Sequence, residues 1–253
     1  MWNIAFNTFK EIIRNKFLYL IVIFSFLFIL FSISLWKLSI WDDLKVITDF
    51  WISMIEIFCL VWVLFVWSQL LFKEIEWKTI FLILSKPIKR YEFILWKFFW
   101  FAMVISLITL LQAFVYFVVL MFKWIAIDWI ILMSVVFILF KLLILIWIVL
   151  FLSTFMSNIL TIVVSIMIYF ISHSFSLILD LVNRLQMQVL SIITKVLQLV
   201  FPPFEALNIR DFIWSNVTFS MNYYLANTLY SLIYLAFIMF FTSIIFNSKK
   251  FEN

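Results

Sequence analysis

Apolar runs about as long as a membrane is thick, separated by short polar connections, recur along the chain and set its outline. A helix needs about 20 mostly apolar residues to cross a bilayer. Six segments meet that length: 17–36, 51–72, 98–122, 129–152, 159–179 and 222–246. In two other places the pattern becomes amphipathic. Over 2–16, Ile4, Ala5, Phe9, Ile12 and Ile13 share one helical face while Lys10, Glu11 and Arg14 lie off it. That arrangement predicts a helix lying on the membrane before the first span. Over 183–200, Leu185, Val189, Ile192, Val196 and Val200 form one stripe, with Gln188, Lys195 and Gln198 off it. This predicts an interfacial helix on the outer surface, ended by Pro202-Pro203.

The expected fold is therefore an all-α membrane protein, one transmembrane domain over residues 1–253. It has six transmembrane helices, an N-terminal amphipathic interfacial helix and an external helical segment between the last two spans. The first apolar run is too long for a cleaved signal peptide, and no small-residue cleavage site follows it.

Basic residues orient this layout. Lys and Arg number eleven in segments 1–16, 73–97 and 247–253, and six in 37–50, 123–128 and 180–221. The positive-inside bias places both termini in the cytoplasm of a cell-membrane, multi-pass protein, with 73–97 the main cytoplasmic loop.

Composition sharpens the class. The chain is 68% hydrophobic and 12% charged with net charge +5, at a mean hydropathy of +1.23. These values exclude a soluble globular domain and a disordered chain. One cysteine, Cys59, excludes a disulfide framework and a cysteine-cluster metal site. Basic charge on so apolar a chain points to membrane lipid rather than nucleic acid.

One count does not fit the class. There is no glycine, and there are 13 tryptophans. About 18 glycines would be usual at about 7% of residues, and membrane helices use more because glycine lets them approach closely. Trp41 precedes Asp42-Asp43, Trp77 lies between Glu76 and Lys78, and Trp62, Trp67 and Trp147 lie deep in apolar runs. Trp2, Trp36, Trp51, Trp124 and Trp129 do suit an interfacial belt. The combination is what glycine codons decoded as tryptophan would give. UGA, which different genetic codes read as either residue, is such a codon. The other reading is a genuinely Trp-rich, Gly-free protein.

The richest polar segment is 73–97, KEIEWKTIFLILSKPIKRYEFILWK. Glu74, Glu76 and Lys78 precede an apolar patch from Ile80 to Leu84. Ser85-Lys86-Pro87 breaks the chain, and Lys89-Arg90-Tyr91-Glu92 opens the next helix. A short amphipathic helix held between two spans suits docking into a groove on a cytoplasmic partner. A loop that merely sets topology would carry the same charges, and the residues alone leave both readings open.

This segment resembles the cytoplasmic loop between the second and third spans of ABC transporter permeases of the type-2 exporter class. Those often carry a run close to E-x-E-x-G-T-I-x-x-L-L-S-K-P-I-x-R-x-E-F-x-x-G-K. Glu74, Glu76, Thr79, Ile80, Leu84, Ser85, Lys86, Pro87, Ile88, Arg90, Glu92, Phe93 and Lys97 match it. Trp96 stands where that family usually has glycine, and Trp77 and Trp100 sit at or beside such places. The segment Pro202-Pro203-Phe204-Glu205-Ala206-Leu207-Asn208 is also similar, more weakly.

The resemblance implies a permease subunit of an ATP-driven exporter, paired with a second permease copy and with cassette ATPase subunits. In that family the loop carries a coupling helix that seats on the ATPase. Carried over, the ATPase-coupling residues are Glu74, Glu76, Lys78, Ser85, Lys86, Pro87, Arg90 and Glu92, with no chemistry of their own. The chain itself is not expected to be an enzyme or to hold a cofactor. Glycine at position 77 would give Gly-Lys-Thr, but a phosphate loop also needs glycine where Phe72 stands.

Polar residues inside the spans complete the inventory. Glu56 either snorkels to the outer surface or lines a substrate path. Lys141 looks central, but the apolar run extends to 158, so sliding the span brings this lysine nearer the outer face. His173, the only histidine, lies between Ser172 and Ser174 and reads as a hydrogen-bonded packing residue rather than a proton relay. No grouping supports a metal site or a catalytic triad. The reading from another class is an ATPase-independent carrier or membrane scaffold. A carrier would show paired acidic residues at mid-membrane and broken helices in corresponding halves; only Glu56 comes close, and no internal repeat is visible.

Overall fold

In the computed structural model, residues 43–68, 90–122, 128–213 and 219–248 are described, together with Ile23 and Phe72. Among them there are helices and no strands. Helix α1 (Asp43–Val61) runs into a π-helical stretch, Trp62–Trp67. It is followed by α2 (Arg90–Phe122), α3 (Trp129–Ser153), α4 (Asn158–His173), α5 (Phe175–Arg184), α6 (Gln188–Val200) and α7 (Met221–Ser248). A 3₁₀ turn, Arg210–Phe212, lies in the connection before α7.

Among the described residues four stretches are long and apolar enough to cross a membrane, Thr48–Phe65, Tyr91–Phe122, Trp129–Ser153 and Met221–Asn247, or five if the bent pair Asn158–His173 and Phe175–Arg184 is one span. The sequence-predicted spans at 51–72, 98–122, 129–152 and 222–246 correspond to these. The span at 17–36 and the interfacial helix at 2–16 lie outside the described residues. The fifth predicted span, 159–179, is not one straight helix. It is α4 and α5, bent by 53° at Ser174. The predicted helix over 183–200 begins instead at Gln188, after a turn in which Gln186 takes φ 54°. A non-glycine residue there carries some backbone strain, which the tight α5–α6 reversal imposes.

Helix α3 is the centre of the bundle, packed by α2, α4, α7 and the π-helical stretch. Apart from Ser134, Lys141 and the terminal Ser153 its sequence is apolar on all faces, as suits a helix surrounded by others. By contrast α2 and α7 each turn an exposed apolar stripe outward: Phe99, Met103, Leu107, Leu110 and Phe114 on α2, and Leu225, Leu229, Ile233, Phe237 and Phe240 on α7. Such stripes suit a hydrocarbon surround. The hydroxyls within these helices turn back on their own backbone. Thr109 donates to Ile105 O, Ser231 to Asn227 O and Thr242 to Ile238 O, so these three donors are satisfied within the apolar layer.

Tryptophans are prominent in the interior. Trp147 is fully buried at the centre, edge-on to Phe98 with ring centroids 4.6 Å apart, and Trp67 meets Phe101 at 4.3 Å. The indole N–H groups of Trp67 and Trp147 have no acceptor. A buried indole N–H ordinarily finds one, and leaving it without costs on the order of 1–3 kcal/mol.

The bend between α4 and α5 has a local cause. Glu205, from the connection before α7, accepts a hydrogen bond from the Ser176 backbone N–H at 2.8 Å. A carboxylate there satisfies a free N–H of the first turn of α5 and faces the positive end of its dipole. The helix can therefore restart at Phe175 in a new direction. Glu205→Ala is expected to cost about 1 kcal/mol. It should also raise amide exchange at Ser176, as read by hydrogen–deuterium exchange on the full chain in detergent.

Candidate functional site

The sequence-predicted loop residues Glu74, Glu76, Lys78, Ser85, Lys86 and Pro87 lie outside the described residues. The structure does place the loop's end. Helix α2 begins at Arg90, so Arg90, Tyr91 and Glu92 form its first turn, with Glu92 near the positive end of the helix dipole. Five residues on, Lys97 is buried, its ammonium 5.9 Å from the Phe93 ring centroid and 5.7 Å from that of Phe101. Trp96, next to it, is exposed.

Among the described residues buried charge is concentrated elsewhere, and three helices build the cluster. Glu56 lies within α1, thirteen residues after Asp43; Lys141 is the middle residue of α3; Tyr169 and His173 are one turn apart at the end of α4. Lys141 donates to Glu56 Oε1. The Tyr169 hydroxyl donates to the same oxygen at 2.6 Å. His173 Nε2 lies 3.5 Å from the Lys141 ammonium and 3.7 Å from Glu56 Oε1. Glu56 is 5% and Lys141 2% exposed, so neither snorkels out of the protein. The chain satisfies each buried charge with the other, as low dielectric demands.

The surroundings form a polar column along α1. One turn from Glu56, Ser53 accepts a hydrogen bond from Arg210 Nη1 at 2.9 Å, and Arg210 also reaches Asp211 at 3.4 Å. On the other side, the Cys59 thiol donates to Gln112 of α2 at 3.4 Å. Between the ion pair and the connection before α7 sits Phe204, fully buried, its ring 5.6 Å from Tyr169 and 5.8 Å from His173. The connection is itself tied down, since Tyr223 of α7 donates to Ala206 O at 3.1 Å. Segment 202–213 thus roofs the cluster at the end of the bundle where Asp49 and Arg210 lie.

Sequence reasoning singled out Glu56, Lys141 and His173 separately and read the last two as bland. It did not bring the three together, and it missed Tyr169. An alternative expectation, that Lys141 slides toward a surface, gives way to the observed end of α3 at Ser153, which leaves this lysine central. His173 does pack against aromatic rings, as expected, but it also completes the charged cluster. Among the described residues no group of His, Cys, Asp and Glu is arranged to hold a metal ion. Comparison with known proteins finds no family model that matches the chain and no curated protein that does.

Proposed function

We propose that the chain is the membrane-spanning permease subunit of an ATP-driven exporter of the type-2 ABC class. It would work beside a second permease copy and with cassette ATPase subunits in the cytoplasm. The observation that carries this reading is the run from Glu74 to Lys97. Its thirteen matches to the coupling-loop pattern lie in one polar segment between two apolar stretches. Two further observations support it. Several helices are long and apolar enough to span a membrane. The second half of the run begins a long helix at Arg90, so a loop displaced by an ATPase at 74–89 would act directly on α2. ATP-driven closure of the cytoplasmic subunits would move that lever and shift the permease between inward- and outward-facing states.

Charge reversal tests the reading. The full chain, tagged and expressed in its own cells, is expected to co-purify with a cassette ATPase. Glu74→Lys with Glu76→Lys should reduce the ATPase recovered by about tenfold, the size of a coupling energy near 1.4 kcal/mol. Equal recovery from the reversed chain, or no ATPase with either, would count against it.

A second reading has one observation in its favour. A carrier driven by an ion gradient is expected to hold ionisable groups at mid-membrane beside a broken helix. The Glu56–Lys141 pair beside the α4–α5 bend has that form. Transport by the purified chain in liposomes, with no ATPase present, would favour it.

A further inference from the structure

We propose that His173 is a proton-binding site wired to the Glu56–Lys141 ion pair, so that a proton taken up there exchanges the partner of Glu56 and loosens the α4–α5 joint. The inference goes beyond the exporter reading and holds whether or not an ATPase drives the chain.

The argument starts from which atoms can donate. The Lys141 ammonium has only donors, so its approach to His173 Nε2 at 3.5 Å makes that nitrogen the acceptor. The Tyr169 backbone oxygen has only lone pairs, so Nδ1, 3.2 Å away, carries the hydrogen. The surroundings therefore fix one neutral tautomer, with Nε2 free to take a proton. Within the ion-pair cluster His173 is also more open than the two charges it faces. Its side chain is 21% exposed, against 6% for Glu56 and 2% for Lys141. It is the last residue of α4, at the bend itself.

Protonation changes the hydrogen-bond partners. A proton moves from water to Nε2, the imidazole becomes a cation, and Nε2 turns from acceptor to donor. Lys141 loses that acceptor and meets a second positive charge 3.5 Å away. One carboxylate, Glu56, then stands between two cations, and the new N–H lies 3.7 Å from its Oε1. A small rotation of the ring lets His173 claim Glu56 at the expense of Lys141.

The other groups facing the histidine do not cancel this. Tyr169, on the same helix, is a donor already committed to Glu56. Cys59, on α1, donates to Gln112. Arg210, from the roofing connection, adds positive charge, and its neighbour Asp211 offsets part of it. The proton's effect is therefore felt mainly at the single shared carboxylate. The mechanical consequence falls on the joint, because Tyr169 and His173 hold the last turn of α4 to α1 and α3 through that carboxylate.

The chain has one histidine, which makes the test direct. The full chain, labelled with ¹³C and ¹⁵N histidine, is placed in phosphatidylcholine nanodiscs and titrated by NMR. At neutral pH the Nδ1-protonated tautomer is expected. Lys141→Met, which removes the neighbouring cation, should raise the proton affinity of His173 about tenfold, and Glu56→Gln should lower it about tenfold. Amide exchange at Ser174–Leu177 should exceed that of His173→Gln at the same acidic pH and equal it at neutral pH. The Nε2-protonated tautomer in the unsubstituted chain would overturn the proposal even if both variants failed to fold. Affinities within about twofold of one another across the folded variants would also overturn it, as would exchange at the joint indifferent to His173.

Discussion

Lys141→Met is expected to destabilise the chain by about 3–5 kcal/mol, the usual cost of removing one partner of a buried ion pair. Methionine fills nearly the same volume, so little of the loss is cavity. What remains is a Glu56 carboxylate inside the bundle with Tyr169 as its donor and His173 Nε2 3.7 Å from its Oε1. Glu56→Gln should be comparably damaging, because it strands the ammonium instead. The pair of substitutions together removes both charges, and the doubly substituted chain should recover most of the stability. Chemical unfolding of all four chains in one detergent reads the coupling. An additive result would mean that water reaches both charges and that the pair is not the closed unit described above. Tyr169→Phe keeps the ion pair and deletes one donor, so a loss of about 1.5–3 kcal/mol is expected.

Most helices of this fold are legible in the sequence because the bilayer demands one thing of a span, an apolar run of sufficient length. Helices α2, α3 and α7 occupy runs that could be read directly, with ends within a few residues except where α2 extends back to Arg90. That extension agrees with the reading of Lys89-Arg90-Tyr91-Glu92 as the opening of the next helix, although hydropathy alone counts those residues as loop.

The α4–α5 bend was not legible. No proline or glycine marks it, and Ser172, His173 and Ser174 do not by themselves break a helix. The group that lets the chain restart is Glu205, 29 residues away from the N–H it receives. The charged cluster was hidden for the same reason. Glu56 and Lys141 are 85 residues apart and each looks like an isolated fault in its own span. A signal was available, since a carboxylate and an ammonium inside two different spans relieve each other's cost if the spans touch. Sequence alone gave no contact between α1 and α3 to use it. For the proposed coupling loop the position is reversed: its motif is read from the residues, and Arg90 and Glu92 alone of its proposed contacts fall within the described helix.

The glycine deficit leads to the second large effect. Trp147 is fully buried at the centre of the bundle, and Trp62 and Trp67 are the first and last residues of the π-helical stretch that follows α1. If these tryptophans are native, replacing even one by glycine should be severe. Truncating a large buried aromatic costs about 3–5 kcal/mol, and glycine inside a helix adds about 1 kcal/mol. If the native chain has glycine there, the order inverts. Trp67 and Trp147 each bring a buried N–H that no group accepts, and the bundle would otherwise close over a small residue. The expected result is that a chain with glycine at all 13 positions inserts and folds at least as well as the tryptophan chain, as measured by yield of monodisperse protein and by thermal unfolding in one detergent. The natural protein, digested and read by mass spectrometry, should show glycine at Trp67, Trp96 and Trp147, and the gene should carry UGA there. UGG codons at most of the 13 positions, with collapse of the glycine chain, would establish the tryptophans as native. Replacing only Trp67 and Trp147 separates the two mechanisms, because these are the sites where packing and the unsatisfied N–H make opposite demands.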